Sequence, residues 1–416
     1  MNILVIGNGF DLAHGLPTKY GDFLEFCKKV SIIYSATKAL SSESYKKNHL
    51  SNWKIDEKIK KHLQDAFVSR EECKKTERDT GRFKTKNSIL NEFYGLIKDN
   101  LWVNYFNQCN MNGKENWIDF ESEISRVIQS LDELRIVVGT ERYPQDILHE
   151  KQEILMNILK ISKGSLQKNY ADSRVVDDYV QFLNTELEKL VRALEIYIAE
   201  FINNIKQIRK NPDIEGLEPD CVLSFNYSDT YERVYGCGKN IEYDYIHGKA
   251  DVNKNVKSCN LVLGIDEYLE DDRKDRELDF LVFKKFYQRI YKSTENIYLN
   301  WMDRVKVDID SGKKIEGYMG KGRGKKVVTV KIDAKPKHTL YIFGHSLDIT
   351  DKDILKMFIC NDNVRTKIFY YRNSKDDKRE LGKLIKNLVR IIGQDELIKR
   401  TGGIHRTIEF IPQTII

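Results

Sequence analysis

The sequence predicts an α/β protein, a parallel sheet covered by helices with a large helical insertion after the first strand. Three observations predict it. The chain opens with NILVIG, a short aliphatic, β-branched run closed by Gly7, as a buried strand should be. From about Tyr20 the texture turns helical and charged, and between Pro17 and Pro212 only Pro144 interrupts it. Strand-like segments then return in quick succession, each ending on glycine or a polar residue. That strand, turn and helix rhythm belongs to a parallel sheet.

Taken in order, the helical block has its clearest period from Val176 to Ile208. There Val176, Tyr179, Leu183, Leu187, Leu190, Leu194, Ile198, Phe201, Ile205 and Ile208 recur at three- or four-residue steps. This is one apolar stripe on a long helix, for core packing or self-association. NPDIEGLEPD (211–220) breaks it with two prolines and a glycine. The strands expected next are CVLSFNY (221–227), YDYIHG (243–248), NLVLG (260–264), TLYIFG (339–344) and TKIFYY (366–371). We expect the α/β domain to comprise residues 1–20 and 215–416, with the helical insertion spanning 21–214.

With 416 residues, 41% hydrophobic and 32% charged, the chain can bury a substantial core. No apolar run approaches the roughly 20 residues of a membrane helix, and Ile3–Ile6 is too short for a signal-peptide core. Seven scattered cysteines without a CxxC pair argue against a disulfide framework and a zinc ribbon. We therefore expect a cytoplasmic protein with no membrane partner and no metal. A net charge of +6 suits solubility rather than nucleic-acid binding by itself. The segment 321–337 carries seven basic residues and one acid. It reads as a solvated flap or as a strip contacting phosphate or nucleic acid, and its VVTVKI core as an edge strand or hairpin arm.

Four stretches could carry chemistry. In GNGFDLAHGLP, Gly7 and Gly9 follow the first strand. They allow either a plain tight turn or a close backbone approach to phosphate at a helix N-terminus. Leu12 stands where the dinucleotide fingerprint needs its third glycine. In SFNYSD, Asn226 falls at a strand end, and the carboxyl ends of parallel strands line the ligand crevice. His247, in IHG, is a general-base candidate at another such end. In FGHSLDITDKDIL, Gly344 and Ser346 precede a helix, with Asp and Thr residues suited to capping it.

Together these motifs resemble sirtuin signatures. Gly7, Gly9, Gly15 and Pro17 match GAGxSxxxGIP, Asn226 the asparagine of TxNxD, His247 the catalytic HG, and FGHSL the later GxSL. More closely, the whole chain resembles the bacteriophage abortive infection AbiH family in its GNGFDLAHGLPT opening and in NWIDFE, FNY, IHG and GHSL. The resemblance implies a sirtuin-like or Rossmann-like sheet binding NAD or a related nucleotide. Around the ligand it implies Gly7, Asn8, Gly9, Phe10, Asp11, Gly15 and Pro17, with Gly344, His345 and Ser346 over the adenosine half. It implies catalysis by His247 as base and Asn226 orienting water or nicotinamide, and Glu121 as an acid/base group or ribose ligand sharing a helical face with Trp117. Asp11 replaces a small hydroxyl residue, Ser228 replaces an acid, and zinc cysteines are missing, so lysine deacylation is not implied.

The expected activity is NAD glycohydrolysis in antiphage defence, with a phage-encoded trigger and a homo-oligomer as partners. The alternative is a nucleotide-binding sensor that acts through protein or nucleic-acid contacts without cleaving. A nuclease has only the Asp266–Glu267 pair in its favour.

Overall fold

The computed structural model describes residues 1–35, 56–66, 88–112, 119–137, 145–160, 173–206, 208–269, 278–310, 316–318, 327–329, 336–403 and 406–415. Strand β1 (Asn2–Ile6) runs into the short helix α1 (Asn8–Ala13). A helical block follows: α2 (Tyr20–Ser35), α3 (Glu57–Ala66), α4 (Ser88–Ile97), α5 (Leu101–Asn112), α6 (Phe120–Val137), α7 (Gln145–Leu159) and α8 (Ser173–Ile196). The stripe expected to reach Ile208 on one helix ends earlier. α8 passes into a single π-helical turn, Tyr197–Ile202, a local widening of the helix.

After α9 (Pro212–Glu215) come β2 (Cys221–Ser224), α10 (Thr230–Tyr235) and β3 (Glu242–Tyr245). Then follow α11 (Lys285–Tyr291), α12 (Tyr298–Asp310), the hairpin β4 (Glu316–Tyr318) and β5 (Val327–Thr329), and β6 (His338–Phe343). The chain closes with α13 (Lys352–Ile359), β7 (Val364–Tyr370), α14 (Arg379–Ile392), α15 (Gln394–Thr401) and β8 (Ile408–Pro412).

Six strands form one all-parallel sheet in the order β3-β2-β1-β6-β7-β8. With the separate hairpin set aside, this is the doubly wound, Rossmann-like order, which reverses direction between its first and fourth strands. That switch lies between β1 and β6. Both faces are covered. Ile3 and Val5 pack with Trp301, Phe358 and Leu388, while Leu4 and Ile6 pack with Phe10, Tyr231 and Tyr235. The near-continuous apolar reading of the strands follows from this double burial.

NLVLG is not a strand of this sheet. Its backbone is tied irregularly, Val262 N–H donating to the His247 carbonyl and Leu263 N–H to Gln288 Oε1. VVT of the basic segment is a hairpin arm, as read; residues 321–326 and 330–335 lie outside the described residues. The core of the helical block also takes in Leu261, Leu263, Ile265 and Phe283 from beyond β3. No described helix is long and apolar enough to cross a membrane.

Candidate active site

The carboxyl ends of β1, β2, β3 and β6 meet at one edge of the sheet. The loops after β1 and β6 are in direct backbone contact there, with Gly9 N–H donating to the Gly344 carbonyl at 2.8 Å and Gly7 N–H to the Phe343 carbonyl at 3.3 Å. A side-chain carbon at Gly7 would lie 2.7 Å from His345 Cα, and one at Gly9 2.8 Å from Gly344 Cα. Both are closer than real side chains come. The two glycines are thus required by loop-on-loop packing. Asn226 Nδ2 donates to the Gly7 carbonyl at 3.0 Å, fastening the end of β2 to the same loop.

Two histidines converge on one carboxylate. Leu347 N–H donates to His345 Nδ1 at 2.9 Å, so the ring proton of neutral His345 sits on Nε2, 3.3 Å from Asp351 Oδ2. His247 Nε2 lies 3.4 Å from Asp351 Oδ1, and its Nδ1 is buried with no hydrogen-bond partner among the described residues. Asp351 ends a short 3₁₀ turn, Ile349–Asp351, that Asp348 caps by accepting from Thr350 N–H. Leu347, just before it, holds a left-handed φ of 56°, a conformation that costs free energy and that the surrounding contacts must enforce. The Phe225 ring stands 4.4 Å from that of His345 and 5.6 Å from that of His247.

The helical block supplies the other half. Asp119 caps α6, accepting from Glu121 N–H and Ser122 Oγ, which sets Glu121 in the first turn. Glu121 Oε2 is 2.7 Å from Lys285 Nζ. Lys285, the first residue of α11, also reaches Thr350 Oγ1 at 3.2 Å and Asp351 Oδ1 at 3.8 Å. A continuous polar chain therefore runs from Glu121 through Lys285 and Asp351 to His247.

Burial lowers the His247 pKa from its ordinary value, the neighbouring Asp351 opposing and Lys285 assisting, so the imidazole is neutral at pH 7. Burial would raise Asp351, but the Lys285 ammonium and the two imidazole N–H groups hold it well below the carboxylate range. Burial pushes Glu121 up to about 7 against the pull of Lys285. Lys285 is raised above the usual lysine value, because Glu121 and Asp351 outweigh its burial. A neutral imidazole with a free lone pair, steadied by a carboxylate behind it, is a competent general base.

Of the residues expected here, His247, His345, Asn226 and Glu121 are brought to this edge. Others are engaged separately. Phe10 is in the aromatic core with Tyr231, Tyr235 and Phe343. Asp11 Oδ2 accepts from Ser228 Oγ at 2.6 Å, and burial pushes its carboxyl up to about 6. Gly15 makes a turn at φ 70°, Pro17 accepts from Tyr197 OH, and Asn8 accepts from Thr18 Oγ1. Ser346 is exposed, its carbonyl held by Asn387. Trp117 lies outside the described residues. Asp351 and Lys285 escaped the sequence reading, Asp351 passing as a helix cap and Lys285 as one charge among many. Of the Asp266–Glu267 pair, Glu267 binds Lys284.

Residues 3–371, from the first strand through the end of β7, match one family, described as bacteriophage abortive infection AbiH. The chain belongs to the AbiH family. Neither curated proteins nor solved structures gave a match. AbiH membership supports a role in abortive infection, a defence against bacteriophage.

Proposed function

We propose that this AbiH-family chain binds NAD or a related nucleotide along the carboxyl edge of its sheet and hydrolyses the N-glycosidic bond when infection is sensed. The observation that carries the reading is His247 itself: a buried, neutral imidazole at a strand end with Nδ1 unpartnered among the described residues and Asp351 beside Nε2. The doubly wound strand order supports it, since such sheets take ligands at their carboxyl edge near the switch point.

In the reaction the bond between ribose C1′ and the nicotinamide nitrogen breaks, its electron pair leaving with the ring. A water oxygen bonds to C1′, and the proton it loses passes to His247 Nδ1. Asp351 stabilises the imidazolium formed. Asn226 orients the water or the nicotinamide end, and Glu121 serves as an acid/base group or ribose ligand on the opposite side. Gly9 N–H is already spent on Gly344, so phosphate contacts fall to exposed Asn8 and Ser346.

The test is the nucleotide pool of infected cells, measured by mass spectrometry for the wild type and for His247→Ala. Loss of NAD with release of nicotinamide is expected in the wild type alone, a general base being worth about 10²–10⁴-fold in rate. Steady NAD with protection intact in both would replace hydrolysis by nucleotide sensing.

A further inference from the structure

Lys285 has no place in the hydrolytic scheme, yet it stands at the centre of the charged cluster and is only 5% exposed. Burying a cation so deeply is costly unless it is paired. Its partners come from separate parts of the chain, Glu121 from the helical block at 2.7 Å and Asp351 from the sheet side at 3.8 Å, with Thr350 Oγ1 at 3.2 Å. Thr350 and Asp351 belong to the turn that also presents a carboxylate to both imidazoles.

We propose that Lys285 is a positioning residue whose buried ammonium keeps Asp351 ionised and His247 a neutral imidazole with its proton on Nε2. The inference deepens the hydrolase reading but rests on geometry that needs no substrate. The groups around the His247–Asp351 pair are Lys285 and Arg289 from α11 and Tyr227 after β2, with His345 from the loop after β6 on the far oxygen of Asp351. Asp351 is the anion, and it favours a proton on His247. Lys285 and Arg289 disfavour it. Arg289 is paired with Asp353 at 2.8 Å, whereas Lys285, besides its pairing with Glu121, lies 3.8 Å from Asp351 Oδ1 and is the cation acting on the Asp351–His247 pair. The same ammonium is shared with Glu121, so the helical block contributes to the charge balance at a histidine it does not touch.

The experiment is a histidine titration of the full chain by NMR, with isotope-labelled imidazoles and the His247 signal identified by its loss in His247→Gln. In the wild type His247 is expected to stay neutral to below pH 6.5. Lys285→Met should raise its titration midpoint by about one pH unit or more, and Lys285→Arg should restore the wild-type curve. A Lys285→Met midpoint equal to the wild type overturns the proposal. Should Lys285→Met fail to fold, Lys285→Gln decides: it too removes the ammonium and should raise the midpoint, and an unchanged or lowered midpoint refutes the assignment. If these shifts occur while no nucleotide is cleaved, the positioning role stands and the hydrolase reading falls.

Discussion

Asp351 receives two imidazole nitrogens and lies near a lysine ammonium, and that concentration of charge gives it a testable signature. Asp351→Asn removes the anion that steadies the imidazolium formed when His247 takes a proton. Nucleotide cleavage is expected to fall by at least about 10²-fold. The pH profile separates this from simple misfolding. On the proposed mechanism activity requires unprotonated His247, so the rate should be flat above its lowered pKa and drop as pH falls through it. Without Asp351 the imidazole loses the group that favours its proton. The acid limb should therefore move to lower pH in Asp351→Asn, measured over roughly pH 5 to 8. A limb that moves upward would remove Asp351 from its orienting role. At this scale Asn226 and His247 were legible because a strand end announces itself locally. Asp351 was not, since DITD reads as a helix cap, a role that Asp348 fills on the 3₁₀ turn while the Asp351 side chain makes no capping bond. Lys285 offered no local pattern at all. Its role exists only once α6 is brought against α11.

Among the elements, the opening loop shows how one residue type serves two purposes. Gly9 is small because the backbone of Gly344 occupies the space beside it, whereas Gly15 has open space around it but holds φ at 70°. The two alanine variants should separate cleanly. Gly9→Ala forces the loops after β1 and β6 apart and should cost about 1–3 kcal/mol, as overpacking does, with loss of nucleotide binding. Gly15→Ala meets only backbone strain, about 1 kcal/mol, and should bind normally. Urea unfolding and nucleotide-binding calorimetry check both, and normal binding by Gly9→Ala would detach the loop contact from function. The strands of the sheet were readable from their apolar runs, with two instructive failures. NLVLG has the right composition, but its backbone partners are a loop carbonyl and a glutamine side chain. IEFIP (408–412), which does form β8, has a charged residue at its second position and no strand signal strong enough to be noticed.

For the molecule as a whole, proline spacing and period predicted the helices that lie between β1 and β2, but not how they join the sheet. The helical core takes in Leu261, Leu263, Ile265, Phe280 and Phe283, and a buried arginine fastens the segment just after His247. Arg192, on α8, is fully buried. It pairs with Glu195 at 2.6 Å and Glu92 at 2.9 Å, and donates to the carbonyls of Asp251 and Val252 at 3.0 Å. Glu195, also fully buried, accepts from Asp251 N–H. Removing one partner of such a set leaves a bare charge in the interior, so Arg192→Met should cost about 3–5 kcal/mol. The cost should also be local. Hydrogen exchange at 249–253 should accelerate more than exchange in β1 or β6, and His247, four residues before Asp251, should lose its fixed distance to Asp351. Uniform acceleration across the sheet would mean that Arg192 only supports the fold. Selective loosening of 249–253 would mean that the helical block holds the carboxyl edge of the sheet in place from both ends, through Arg192 at one and through Glu121 and Lys285 at the other.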